Sequence, residues 1–158
     1  MFTISIDTSK LINNFETLLN NIEKEVRIGL KESAQLLIDQ ARTELNGHFN
    51  HISGKAEQSI QIDESKTANT SITVGLNNST AFYSKYLHEG TKDHMVKPKD
   101  AKALSWMSGG NSFISKGHVV SGIEKFQFLY IAAEKVKKHV IEIITSKIEN
   151  AIKLSGLK

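Results

Sequence analysis

The sequence predicts an α+β fold, in which a long N-terminal helix and a C-terminal helix pack on a central antiparallel sheet. Two stretches near the ends repeat their apolar residues every three, four or seven positions, a spacing that keeps one stripe on a helix. The middle of the chain is instead divided into short runs bounded by Gly, Asn, Ser and the single proline, the pattern of short strands and turns. A length of 158 residues, with 39% hydrophobic and 23% charged, suits one domain with a moderate core and argues against a disordered or fibrous chain.

Phe2, Ile4 and Ile6 alternate with Thr3 and Ser5, which predicts a short strand, and Asp7, Thr8 and Ser9 then offer helix-capping oxygens. From Lys10 to about Asn46 the stripe runs through Leu11, Phe15, Leu18, Ile22, Val26, Leu30, Leu37, Ala41 and Leu45, predicting one long helix. Gly29 lies inside it as a possible bend, and Asn46-Gly47 end it. His48 to Lys55 reads as a loop. Ser59 to Asp63 and Ser71 to Leu76 are expected to form an antiparallel hairpin, and Phe82 to His88 a short helix stopped by Gly90. Met95-Val96, Ala103 to Met107 and Ser112 to Ile114 are extended candidates, the first limited by Pro98. The last helix is expected over Lys125 to Leu154. Its apolar face carries Phe126, Leu129, Ala133, Val136, Val140, Ile143, Ile144, Ile148 and Ile152. No internal repeat or low-complexity tract is present.

Composition excludes several function classes. With no cysteine there is no disulfide scaffold, thiol nucleophile, zinc ribbon or cysteine-held iron–sulfur cluster. No apolar run approaches the ~20 residues of a membrane helix, and Met1 to Lys10 lacks a signal-type block, so a soluble, unexported chain is expected. The formal charge of +3 hides an asymmetry. Residues 1–80 hold 7 Lys/Arg against 10 Asp/Glu, and residues 81–158 hold 13 against 7. That positive charge is diffuse, with no run of basic residues to follow a phosphate backbone, so a small DNA-binding module is an alternative reading only.

Catalytic patterns are equally thin. His88, Glu89, Asp93 and His94 do not have zincin spacing, and His48 with His51 suggests no third ligand and reads as exposed loop histidines. A Mg²⁺-dependent nuclease can be sketched from Glu89, Asp100 and Lys102, yet Asp100 and Lys102 follow Pro98 in a turn where rigid strands would be needed. No nucleophile elbow, phosphate loop or dinucleotide turn occurs. No catalysis, cofactor or metal is therefore expected.

The most unusual stretch is Ala81 to Trp106. Tyr83, Ser84, Tyr86, Leu87, Gly90, Thr91, Pro98, Lys99, Lys102, Ala103 and Leu104 together resemble the centre of the HK97 gene-ten-like family of phage tail-component proteins. Upstream, Ser53-Gly54 and Ser59-Ile60 resemble the family's entry into its first central strand. Downstream, Phe128-Leu129 with Ala132, Ala133 and Glu134 resembles the start of its last helix. The resemblance covers about residues 10–152. Three positions depart from the pattern: His88-Glu89 stands where many members carry Glu-Phe, the usual His-Pro-Gly is reduced to His118, and no proline precedes Phe128.

The resemblance implies a structural virion protein of a phage or prophage, acting in tail completion or head-to-tail joining. It implies a ring, commonly six-fold, at the tail–neck junction, formed in the host cytoplasm during assembly. The implied partners are further copies of the chain, a tail-tube or tail-terminator protein and a neck or head-completion protein, with DNA only passing through the lumen. A ring needs two different complementary patches per subunit. The expected interface residues are Tyr83, Tyr86, Leu87, His88, Glu89, Gly90, Thr91, Phe113 and His118. Residues 108–122 are expected to be a mobile loop that orders on assembly or, alternatively, a hairpin turning at Gly117 with Phe113 and Val119 in the core.

Overall fold

A computed structural model describes residues 9–49, 54–68 and 70–155. The strand expected over Phe2 to Ile6 lies outside them, as do Asp7, Thr8, His51, Ser53 and Gly156. In chain order the elements are α1 (Ser9–His48), α2 (Gly54–Ser59), β1 (Ile60–Ile62), a 3-10 turn (Glu64–Lys66), β2 (Val74–Leu76), α3 (Ser84–Glu89), β3 (His94–Val96), β4 (Leu104–Ser108), β5 (Asn111–Ser115), β6 (His118–Val120) and α4 (Phe128–Leu154). The fold is α+β, as the periodicities predict. The long helices pack on each other, and the strands form three two-stranded antiparallel sheets, β1–β2, β3–β6 and β4–β5.

α1 runs unbroken through Gly29. A Cβ there would sit 3.0 Å from Ile144 Cδ1 and 3.0 Å from Lys147 Cγ, so this glycine makes room for α4 and is not a bend. The helices are antiparallel. Lys135 Nζ reaches Glu44 Oε1 at 2.6 Å and Lys147 Nζ reaches Glu32 Oε1 at 2.7 Å, twelve residues further along each helix. Alanines at 34, 41, 132 and 151 are buried along the pair and permit the close approach.

The core gathers Ile38, Ala41 and Leu45 of α1, Ala56 of α2, Ile60 of β1, and Phe128 and Ala132 of α4. Ile62, Val74 and Leu76 of the β1–β2 hairpin pack against it, with Ile60 opposite Leu76 and Ile62 opposite Val74. α4 begins three residues later than expected because the Phe128 N–H donates to the Phe126 carbonyl at 2.8 Å, a tight turn that leaves Phe126 outside the helix. Its ring stacks on His48 at 3.7 Å, so His48 is the last residue of α1 and a packing partner, not a loop histidine. The buried residues of α4 are Phe128, Ala132, Val136 and Ala151, of which Val136 lies on the expected stripe while Phe128 and Ala132 sit one position before the expected Leu129 and Ala133, and Ala133 is exposed.

The N-terminal part of α1 departs most from expectation. Extending the Glu32–Lys147 register, Leu154 reaches the level of Glu25. Residues 9–24 therefore pass beyond the end of α4, about 24 Å at 1.5 Å per residue. Phe15, expected on the buried stripe, is 51% exposed, between Ile12 at 53% and Leu19 at 65%.

Candidate assembly interface

The stretch Ala81 to Trp106 begins with the short helix α3, wedged against the core, and continues into β3 and β4. Ser84, at the start of α3, is fully buried, as is Ser59 at the end of α2, and their hydroxyls lie 2.7 Å apart. Ser84 Oγ also lies 2.7 Å from the Ala81 carbonyl, and Ser59 Oγ 2.6 Å from that of Ala56. Two hydroxyl protons serve three contacts. The Ala81 carbonyl already accepts the Ser84 N–H, so a relay from Ser84 through Ser59 to Ala56 uses both protons and leaves no acceptor stranded. Small polar residues at 59 and 84 thus join α2 to α3.

Helix geometry then divides the expected interface residues. Tyr83 and Leu87 face the core. Tyr86 is exposed, with Lys85 Nζ 5.0 Å from its ring centroid, and Glu89 is exposed. His88 points inward, its ring edge-on to Phe128 at 4.9 Å, and its Nδ1 is buried without a hydrogen-bond partner among the described residues. Burial pushes the His88 imidazole below its ordinary value. Glu89 opposes that shift and Lys125 adds to it.

Gly90 and Thr91 form a clasp. Gly90 has φ 74°, and its N–H closes α3 on the Tyr86 carbonyl at 2.9 Å. The Thr91 N–H donates to the Ile123 carbonyl at 2.9 Å, the Ile123 N–H returns to Thr91 Oγ1 at 2.9 Å, and the Gly122 N–H donates to Asp93 Oδ1 at 2.7 Å. A Cβ on Gly122 would lie 1.9 Å from the Thr91 carbonyl oxygen, and one on Gly90 2.8 Å from the Ile123 carbonyl oxygen. Two backbones cross where only glycine fits.

The clasp returns the chain to β3, and the strands beyond it hold the exposed apolar surface. β4 and β5 form a ribbon across the turn Gly109-Gly110, both with positive φ, in the two-residue geometry suited to a twisted hairpin. Trp106 and Phe113 are paired on one face, stacked at 5.6 Å, and His118 lies 4.8 Å from Trp106. Met107 and Ile114 lie on the other face, 76% and 77% exposed. β6 pairs with β3, placing exposed Val119 opposite exposed Met95. In residues 108–122, then, Phe113 pairs across Gly109-Gly110 with Trp106, and not across Gly117 with Val119. Trp106, Met107, Ile114 and Met95 were absent from the expected set. Their signal is in the sequence, since Trp106-Met107 and Phe113-Ile114 put apolar residues at adjacent strand positions and so on both faces of a ribbon.

The catalytic patterns do not assemble. Among the described residues no three or more of His, Asp and Glu are grouped to hold a metal ion. Asp100 and Lys102 sit in the exposed bend before β4, Glu89 ends α3, and Asp93 is engaged in the clasp. No described helix is long and apolar enough to cross a membrane. No family model, curated protein or solved structure matches the chain.

Proposed function

We propose that the chain is a structural virion protein of a long-tailed phage or prophage, a non-catalytic tail-completion or head-to-tail joining subunit that assembles as a ring at the tail–neck junction. The observation that carries this reading is the β4–β5 ribbon. A two-stranded hairpin is marginal alone in water, and this one exposes Trp106 and Phe113 on one face and Met107 and Ile114 on the other. Such a ribbon suits a place between neighbours in a ring, covered on both sides, where weak contacts add up. The neighbours are further copies of the chain, a tail-tube or tail-terminator protein and a neck or head-completion protein. The subunit folds in the host cytoplasm and ends in the virion, with DNA passing through the lumen.

The test is genetic, in the phage or prophage that encodes the chain. Met107→Ser with Ile114→Ser changes only exposed side chains, so the subunit should fold normally while electron micrographs of lysates show separate heads and tails. Intact infectious particles from a strain lacking the gene would overturn the reading, as would absence of the chain from purified virions.

A further inference from the structure

A second unpartnered apolar feature lies away from the ribbon. α1, α4 and the residues leading into β2 enclose an open groove of about 450 Å³, lined by Leu30, Leu37, Ile72, Ala133, Val140 and Ile141. On its floor Ser33 Oγ is buried without a hydrogen-bond partner among the described residues. The overhanging end of α1 carries the matching shape. Ile12, Phe15 and Leu19 are exposed at positions i, i+3 and i+7, the anchor spacing of a helix that docks in an apolar groove.

We propose that the α1 overhang of one copy docks in the α1–α4 groove of a second copy. Geometry makes the contact intermolecular. Overhang and groove belong to the same unbroken helix, with Leu19 only eleven residues before Leu30, so the overhang cannot fold back into its own groove. The groove wall carries Lys137 as well as Glu134, so Glu16 beside the Ile12–Leu19 stripe has one cation to meet there, and neither Glu16 nor Lys137 makes an ion pair among the described residues. Three half-exposed side chains entering one groove bury less than the roughly 1,200 Å² of a standard stable interface. The contact is therefore weak in isolation and reversible with dilution. It joins two different patches, so each subunit can give one overhang and receive another. It does not depend on where in a particle the chain sits, so it can fail or hold independently of the head-to-tail test.

Sedimentation velocity on the full chain, from micromolar to submillimolar concentration, tests it. The wild type should associate as concentration rises. Phe15→Glu on the overhang and Ala133→Trp in the groove should each weaken association by roughly tenfold or more, with far-UV circular dichroism unchanged. Mixed, the two variants should form a one-to-one dimer, because one keeps its groove and the other its overhang. Ile141→Glu, at an exposed position on the groove wall, replaces Ala133→Trp if that variant misfolds. A folded pair that stays monomeric when mixed overturns the proposal. So does unchanged self-association of Phe15→Glu, or groove occupation that is independent of concentration, as when the segment before Ser9 fills it.

Discussion

Gly122→Ala is expected to be among the most damaging single-methyl changes in this chain, although Gly122 is not in the core. The added Cβ would lie 1.9 Å from the Thr91 carbonyl oxygen and 2.7 Å from the Lys92 carbonyl carbon. Both are backbone atoms, so no rotamer change relieves the clash and the clasp must open. Three hydrogen bonds go with it: Thr91 N–H to Ile123, Ile123 N–H to Thr91 Oγ1, and Gly122 N–H to the Asp93 carboxylate. At about 0.5–1.5 kcal/mol for each neutral bond, and somewhat more for the carboxylate, the loss is about 2–4 kcal/mol with exposed groups taken at the low end. For a domain of this length that lowers the melting temperature by roughly 5–15 °C. The control is Gly47→Ala near the end of α1, where a Cβ meets nothing within 4 Å, and a gain of up to about 1 kcal/mol is expected. Differential scanning calorimetry of both variants decides the matter. A Gly122→Ala melt within about one degree of wild type would show that the crossing is not a close backbone contact, and the clasp argument would fall.

Two further outcomes follow from packing and from titration. Gly29→Ala should be near neutral, because roughly 1 kcal/mol of helix propensity offsets tight contact with Ile144 Cδ1 and Lys147 Cγ, whereas Gly29→Leu should cost about 1–3 kcal/mol by forcing α1 and α4 apart. Urea melts of the two variants should separate them, and equal midpoints would refute the close approach. His88 gives the chain an acid sensitivity. Its folded pKa is below the ordinary 6.5, so the unfolded chain takes up the proton first; stability is unaffected above about pH 7, falls as the pH drops through 6.5, and levels off below the folded value. His88→Phe should flatten that part of a urea-midpoint profile against pH, and an unchanged slope would assign it to other groups.

Much of the fold was legible because its strongest signals are local. The stripes of α1 and α4 persist over many turns, the β1–β2 hairpin lies between clear turn residues, and Gly90 marks the end of α3. What was not legible depends on length and on distant pairing. The stripe through Phe15 has the same spacing as the stripe through Ala41. Only the point where α4 stops, at Leu154, decides which is covered. β6 is three residues without a strong alternation, and it pairs with β3 because Gly122 and Thr91 bring the two segments together across some thirty positions. Gly29 carries one signal for two causes, since an interior glycine marks a bend or a close neighbour alike. Among the candidate site residues, the sequence located the α3 turn but not its inner and outer sides. The side facing Phe128 is set by the burial of Ser84 against Ser59, a contact spanning twenty-five positions.

The division of the strands into three pairs has a consequence for how the subunit moves. Among the described residues no strand has a neighbour on both sides, so all six are edges with outward-facing N–H and C=O groups. Opening β3–β6 or β4–β5 does not spread through a shared sheet, whereas opening β1–β2 also uncovers Ile60 and the core it belongs to. The helices are the opposite case, joined along their lengths by Gly29, Ala34, Ala41, Ala132 and two ion pairs, and they behave as one cooperative unit. The described residues form a two-helix spine with the β1–β2 hairpin packed on its core, while β3–β6 and β4–β5, in contact through His118 and Trp106, keep free edges along which another strand can add.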